Sequence, residues 1–526
     1  MRNPVLLKNK FNYYKNSFLR HDLKSSITLL FVALPLCLGI ALASGVPVYT
    51  GLIAGIVGGI VVSFISNSSL GVSGPAAGLV TICASAILEL GSIDLLAIAI
   101  VIAGVLQLIL GFFKLAGFSH FIPSPVIKGM LAAIGILLMT KQIPIIIGYN
   151  KPDFWSAELF NIFTFNHGFQ HIKNLYQTSS FGVTIISVIT VFILFIWHNL
   201  TYQWSKNVPS AFVSVICGVL MAWLLNVFAP TLSLKSDHFI QLPQNIFSNI
   251  RLPDWHVMIQ WSAQSALIWK TGVIICIVAS LESLLSTIAI DKLDPFNRIT
   301  NQNRELIAQG VGNTLSGLLG GLPITAVIVR GSANLEAGAR SKLSAILHGI
   351  WLLLALLFGV AIINKIPYGV LAVILIRTGY NLAKPAMFKD VYHQGKEQFL
   401  PFIVTIIAIL FSDLLIGVLI GFIYAIYFMM KNQYKAGFIA IETPWNHTRK
   451  FELKFDQHVS FLNKRKLTEY LDKIPDYSMV ELNGSQTSYF DRDILEIIQD
   501  YKSKAFRKHI ELKLIEIPEV KTIGLH

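Results

Sequence analysis

Two charged residues stand inside long apolar stretches of this chain. Glu282 lies within the run Ile274–Ser286, and Arg330 follows a run of four apolar residues. Ionisable side chains at such depth face a protein interior or a wet cavity, and they mark functional sites. An arginine attracts an anion. A carboxylate with the Ser286 hydroxyl one turn away offers hard oxygens to Na⁺, or a place for a proton.

The sequence also allows two simpler interpretations of these charges. Arg330, which is followed by Glu336 and Arg340, could reach the cytoplasmic interface along its aliphatic stem. Glu282 and Arg330 could also form an ion pair with a purely structural role.

Two glycine- and proline-rich segments break the apolar pattern. The first is Leu70–Gly78, and the second is Gly320–Thr325, which leads into Arg330. Non-helical backbone survives at membrane depth only where it is buried in protein or lines a water-filled cavity. Each segment runs into a short helix, so two helix N-termini bring free N–H groups and partial positive charge to one point. The two segments therefore predict an anion site built largely from backbone.

Small side chains around the two breaks let an anion approach the N–H groups closely. Arg330, about one turn into the second short helix, adds a full positive charge. Ala76, Ala77, Gly78 and Ala326 are small enough to allow this approach. The residues of the two segments that we place at the anion site are Gly74, Pro75, Ala76, Ala77 and Ala326.

The elements that must position these residues are membrane helices. The chain has 526 residues, of which 54% are hydrophobic and 13% charged, and its mean hydropathy is +0.62. Soluble domains carry about 25% charged residues, and here the charges concentrate after residue 430. This composition excludes a soluble enzyme and a disordered chain for most of the length, and it predicts an integral membrane protein with a polar tail.

The formal net charge of +13 can indicate nucleic-acid binding. Its distribution instead follows the positive-inside rule, because six basic residues precede the first apolar run and only Asp22 opposes them. We therefore expect the segment 1–24 in the cytoplasm, the lipid bilayer as a partner, and no nucleic acid. The four cysteines lie in apolar runs and predict neither a disulfide framework nor a metal site.

Apolar runs between breakers predict about fourteen spans within a transmembrane domain at 25–431. An even number places both termini in the cytoplasm of a multi-pass protein of the cell membrane. The broken segments are the third and the tenth spans, which is the third position in each half of seven; such a match indicates a transporter's substrate site. Because seven is odd, the halves form an inverted repeat. The predicted spans are 27–42, 49–66, 75–89, 93–113, 125–144, 181–197, 208–228, 266–290, 305–319, 326–336, 342–363, 367–381, 398–412 and 414–430.

The motifs resemble those of the SulP family of anion transporters, known in animals as solute carrier family 26. The resemblance covers nearly the whole chain and implies seven-plus-seven inverted repeats, a core of spans 1–4 and 8–11, and a gate of spans 5–7 and 12–14. It also implies homodimers and elevator-type alternating access. The matching motifs are Val72–Pro75, Ala279–Ser286, Asn303–Asn313 and Gly320–Pro323 with Arg330.

The same resemblance assigns roles to individual residues. Glu282 and Ser286 match the positions linked to the coupling cation. The residues that match positions around the anion, or that line the same cavity, are Leu36, Ile40, Ala77, Val327, Ile328 and Arg330.

The sequence thus favours a secondary active transporter of a small inorganic oxyanion, coupled to Na⁺ or H⁺ at Glu282. Leu36 departs from the Gln of sulfate-type members. Ile328 replaces a hydroxyl residue of bicarbonate-type members, and Glu282 replaces their Asp, so both anions stay open. The alternatives are a passive anion channel or exchanger on the same scaffold, and a nucleobase or dicarboxylate symporter. We expect no enzyme activity and no cofactor, with Na⁺ as a coupling ion at most.

The polar tail, residues 446–526, alternates predicted strands and helices in the manner of a small cytoplasmic α/β domain. It resembles the STAS domain (sulfate transporter and anti-sigma antagonist) that follows SulP membrane domains. The run Asp491–Ile494 lacks the serine that antagonists phosphorylate at this place. We therefore expect a scaffold or dimerisation role and no such phosphorylation.

Overall fold

The computed structural model describes residues 18–148, 180–199, 208–243, 253, 256–259, 263–412, 414–435, 437–445 and 448–519. Residues 1–17 of the predicted N-terminal segment lie outside the described residues. The chain forms two compact units, Met1–Gly421 and Phe422–His526, and each is described by itself.

The first unit is helical. Seven helices among the described residues are long and apolar enough to cross a membrane, and shorter apolar helices accompany them. The number of crossings and the inverted repeat stay predictions. The helices used below are α1 (Arg20–Ala43), α2 (Val48–Val57), α3 (Val80–Leu90), α4 (Ile93–Phe112), α5 (Ser124–Ile146), α6 (Phe181–Asn199), α7 (Ser210–Phe228), α8 (Ala263–Leu293), α9 (Gln302–Leu318), α10 (Ile328–Glu336), α11 (Leu343–Phe358), α12 (Tyr368–Leu382), α13 (Lys396–Phe411) and α14 (Leu414–Lys435), the last of which continues into the second unit.

Glycines let α4 and α9 approach each other closely. A Cβ added at Gly104 would lie 2.4 Å from the Thr314 nitrogen, and one at Gly310 would lie 2.8 Å from the Gly104 oxygen. Backbone contact of this kind is typical of membrane helices, whose association depends on packing and hydrogen bonds rather than on a hydrophobic driving force. Gln107 and Asn313 lie within this glycine-lined interface and are fully buried.

The two predicted breaks are three-residue strands that pair with each other. Strand β1 (Ser73–Pro75) and strand β2 (Ile324–Ala326) form a two-stranded antiparallel sheet. Gly74 lies opposite Thr325 in the register. All six residues are buried, which is where non-helical backbone is tolerated in a membrane protein.

The second unit contains a four-stranded sheet whose strands are, in spatial order, β3 (Phe438–Trp445), β4 (Thr448–Phe455), β5 (Met479–Asn483) and β6 (Glu511–Ile515). Strands β3 and β4 are antiparallel and the other pairs are parallel. Helix α15 (Lys464–Asp472) lies between β4 and β5 in the chain, and α16 (Arg492–Arg507) lies between β5 and β6, as parallel connections usually require. Strand β3 lies before residue 446, the predicted start of this domain.

A charge cluster crosses this sheet at Glu481 on β5. Lys450 Nζ on β4 lies 2.9 Å from the Glu481 carboxylate, and Lys513 Nζ on β6 lies 3.9 Å from it. The hydrogen bond from Lys450 holds the pKa of Glu481 below its ordinary value. At the start of α16, the Asp491 carboxylate accepts a hydrogen bond from the Asp493 N–H at 3.1 Å and so caps the helix.

Candidate anion-binding cavity

The strand pair fixes where the two short helices begin. Beyond its ends, the Ala76 N–H donates to the Pro323 carbonyl at 3.3 Å and the Val327 N–H donates to the Val72 carbonyl at 3.0 Å. A helical turn starts at Ala77 on one side, and α10 starts at Ile328 on the other. The N-cap residues Ala76 and Val327 accept no hydrogen bond with their side chains, and in the first helical turn the Gly78 N–H donates to the Glu282 carboxylate.

Both helix starts line one cavity of about 30 Å³, enough for a water-sized species. Eight of the twelve residues predicted from the sequence border this cavity. They are Leu36 and Ile40 of α1, Ala77, Glu282 and Ser286 of α8, Val327, and Ile328 and Arg330 of α10.

The part of the cavity lining that comes from α5 and α12 was not predicted. It consists of Leu131, Ile134 and Leu138 of α5 and Leu375, Thr378 and Leu382 of α12. These side chains are apolar except for Thr378, whose hydroxyl donates to the Ile374 carbonyl of its own helix. Nothing in their sequence spacing distinguishes them from ordinary packing residues.

Four predicted residues do not border the cavity. Gly74, Pro75, Ala76 and Ala326 belong to the strand pair or follow it directly. Their contact with an anion stays a prediction, but Gly74 has a structural reason to be glycine. A Cβ added there would lie 2.0 Å from Arg330 Nη1.

Arg330 is completely buried. Its Nη2 donates to Cys37 Sγ of α1 at 3.3 Å, while Nε and Nη1 have no hydrogen-bond partner among the residues that the structure describes. The snorkelling interpretation is therefore wrong, because the guanidinium lies inside the protein against β1. A buried cation with unused donors is costly by itself and is stabilised by an anion.

Glu282 is also buried, with 8% of its surface exposed. Its carboxylate interacts with the Gly78 backbone N–H, and Oε2 has no other hydrogen-bond partner among the described residues. A Cβ added at Gly78 would lie 2.8 Å from Oε2. The Arg330 nitrogens have no contact with this carboxylate, because Nη2 contacts Cys37 and the other two are unpartnered. The ion-pair interpretation is thus wrong for these two described residues.

Polar side chains of the neighbouring helices hold both strands. Asn313 accepts from the Ile324 N–H at 2.6 Å and donates to the Ile324 carbonyl at 3.0 Å. Ser283 Oγ accepts from the Ala326 N–H at 3.2 Å. On β1, Gln309 Nε2 donates to Ser73 Oγ at 2.8 Å. The motifs that contain Asn313, Gln309 and Ser283 were recognised in the sequence, but only the fold shows what these side chains bind.

The model of the sulfate permease family matches residues 19–407. This chain belongs to that family. The resemblance noted in the sequence is thereby confirmed, and the chain is a helical membrane protein of the SulP type.

Similar proteins carry names that refer to two anions. The bicarbonate transporter BicA of Picosynechococcus sp. is 26% identical over 77% of this chain and 69% of its own length. The chloroplastic sulfate transporter 4.1 of Arabidopsis thaliana is 24% identical over 80% of this chain and 59% of its own. YvdB of Bacillus subtilis is 27% identical over 81% of this chain and 76% of its own length.

Solved structures support the same fold. The transmembrane domain of a cyanobacterial BicA matches with a TM-score of 0.62 and 23% identity, over 78% of this chain and 97% of that one. The structure of SLC26A9 matches with a TM-score of 0.75 and 14% identity, over 98% of this chain and 87% of its own.

Proposed function

We propose that this protein transports a small inorganic anion across the cell membrane, and that the anion binds beside Arg330. The observation that carries the proposal is a buried guanidinium that borders a cavity lined by two helix starts. Two of its nitrogens have no hydrogen-bond partner among the described residues. Relatives named as bicarbonate and sulfate transporters support the substrate class. The chain acts as a transporter and not as an enzyme.

The transport is secondary active, with Na⁺ or H⁺ coupled at Glu282 and Ser286. Both residues border the same cavity as Arg330. A carboxylate and a hydroxyl supply the hard oxygens that Na⁺ prefers, and a desolvated carboxylate also takes up a proton. Occupancy by a cation would offset the negative charge that Glu282 otherwise presents to the incoming anion.

An elevator-type movement suits the unequal walls of the cavity. The side with α1, α8 and α10 carries the charges, while the α5 and α12 side offers an apolar surface. A smooth apolar wall makes no directional hydrogen bonds, so the polar side can slide past it with the anion. Homodimer formation and cytoplasmic termini belong to the same proposal.

A nucleobase or dicarboxylate symporter is less well supported. The residues between β2 and Arg330 are Val327, Ile328 and Val329, which offer no side-chain donors or acceptors to the edge of a base. A passive channel or exchanger differs from the proposal in its response to cation gradients, and the following experiment separates them.

The test is uptake of labelled sulfate and of labelled bicarbonate into proteoliposomes, with Na⁺ and pH gradients imposed separately. We expect uptake of one anion to follow one gradient. Glu282→Gln should remove that dependence, because the amide neither titrates nor offers a negative charge to Na⁺. Uptake that ignores both gradients would contradict the coupling and leave a channel or exchanger. Lack of uptake of either anion would contradict the substrate class.

A further inference from the structure

The outer edge of β2 is bound by side chains instead of by a third strand. The flanking bonds of the strand pair run from Ala76 to Pro323 and from Val327 to Val72. Because N–H directions alternate along a strand, the N–H groups of Ile324 and Ala326 face away from β1. An unpaired strand edge within a membrane protein must be satisfied internally, and here Asn313 and Ser283 supply the acceptors.

A chain of buried hydrogen bonds continues from Asn313 to α8. Asn313 Nδ2 donates to Gln107 Oε1 of α4 at 2.8 Å, and Gln107 Nε2 donates to Ser280 Oγ of α8 at 3.2 Å. The side chains of Gln107, Asn313, Ser280 and Ser283 are all fully buried. Water is therefore excluded as a replacement partner, and each bond in the chain matters more than it would at a surface.

Two independent connections thus join α8 to β2. Ser283 contacts Ala326 directly, and Ser280 reaches Ile324 through Gln107 and Asn313. Ser280 and Ser283 share one face of α8 and bracket Glu282, which turns toward the cavity. Strand β2 in turn leads within four residues of Ala326 to Arg330. A displacement of α8 at Glu282 therefore moves the start of α10.

We propose that Gln107, Asn313 and Ser283 are positioning residues that couple occupancy at Glu282 to the affinity of the anion site beside Arg330. The proposal rests on the proposed function, since it assumes an anion and a coupling cation in this cavity. None of the three residues borders the cavity. Their effect is to hold the helix that carries Glu282 and the strand that leads to Arg330 in one register, so that occupancy of either site changes the affinity of the other.

The test measures coupling rather than activity. The equilibrium dissociation constant of labelled sulfate or labelled bicarbonate, whichever the wild type takes up, is measured on the purified protein with the coupling ion saturating and with it depleted. The ratio of the two values is the coupling factor, and the reciprocal measurement of cation affinity with and without the anion must give the same factor.

The informative variants are Gln107→Leu and Ser283→Ala. Gln107→Leu removes the link to Ser280 and leaves the two bonds between Asn313 and Ile324 intact. Matched controls are Gln142→Leu on α5 and Ser187→Ala on α6. Both wild-type side chains are buried, and in the described part of the chain neither has a hydrogen-bond partner. A thermal-unfolding measurement on each purified variant identifies any that fail to fold.

In Gln107→Leu and in Ser283→Ala we expect the coupling factor to fall toward one. For a strongly coupled wild type this is about a tenfold decrease. The two controls should keep the wild-type factor. A wild-type coupling factor in both Gln107→Leu and Ser283→Ala would overturn the proposal. An equal decrease of the coupling factor in the two controls would also overturn it. A wild type without ion dependence would already contradict the proposed function before any variant is compared, so the two failures are distinguishable.

Discussion

The two broken segments, β1 with the turn at Ala77 and β2 with α10, look alike in the sequence but differ in what they bring to the cavity. The second segment carries a charge, Arg330. The first carries none, and instead provides glycines at the places where charges from elsewhere pack. Arg330 Nη1 lies against Gly74, and Glu282 Oε2 lies against Gly78.

This difference indicates that the two segments have different roles in the cavity. Gly74 and Gly78 are four residues apart in the first segment, and each leaves room for one of the two buried charges. The first segment therefore acts as a template that separates the guanidinium from the carboxylate, and the second supplies the positive charge. Exchange of either glycine for alanine tests the template directly.

The largest effect is expected from Gly74→Ala. The new Cβ would lie 2.0 Å from Arg330 Nη1, so the guanidinium or the strand must move. We expect anion uptake to fall about 100-fold, equivalent to about 2.7 kcal/mol. The matched control is Gly117→Ala, because a Cβ at Gly117 meets no atom within 4 Å. Wild-type uptake by Gly74→Ala would show that the template is not required.

An intermediate effect is expected from Arg330→Lys. Lysine keeps the charge but lacks the planar fork of donors that spans Cys37 and the cavity. We expect the half-saturating anion concentration to rise about tenfold with little change in the maximal rate. Arg377→Lys on α12 serves as the control, because Arg377 does not border the cavity and donates to the Leu194 carbonyl. Unchanged affinity in Arg330→Lys would mean that charge alone suffices.

The smallest effect is expected from Gly78→Ala. The added Cβ would lie 2.8 Å from Glu282 Oε2 and 3.0 Å from Ile134 Cδ1, and both atoms end side chains that can shift. We expect about a threefold weaker dependence of uptake on the coupling ion and an unchanged anion affinity at saturating ion. Titration of uptake against Na⁺ and against pH measures this. A loss of anion affinity equal to that of Gly74→Ala would remove the distinction between the two glycines.

Much of the site follows from the sequence because charges and helix breakers are local signals. Glu282, Arg330 and the two glycine-proline segments stand out against an apolar background, and the structure brings Glu282, Arg330 and both helix starts to one cavity. In the tail, the alternating strands and helices were likewise predicted from local sequence patterns, although strand β3 was not predicted. The family resemblance added Leu36, Ile40 and the residues around Ile328, which lack a distinctive local pattern.

The remaining features depend on tertiary contacts. Strands of three residues are too short to show an alternating pattern, so the pairing of β1 with β2 was not predicted. The leucine-rich wall from α5 and α12 has the composition of any membrane helix. The packing of Gly74 against Arg330 does not follow from the sequence, because the position of Arg330 depends on its contacts with α1 and β1. The role of Asn313 could not be assigned from the sequence, because its hydrogen-bond partner, the backbone of Ile324, is known only from the fold.

The central claim is that the anion binds beside Arg330, and equilibrium binding tests it most directly. Labelled sulfate, with bicarbonate as competitor, is bound to purified full-length wild type, Arg330→Gln and the control Arg377→Gln. We predict saturable binding by wild type and control, and about a 100-fold loss of affinity in Arg330→Gln, because one fully buried cation is removed. Wild-type affinity in a folded Arg330→Gln protein would contradict the account.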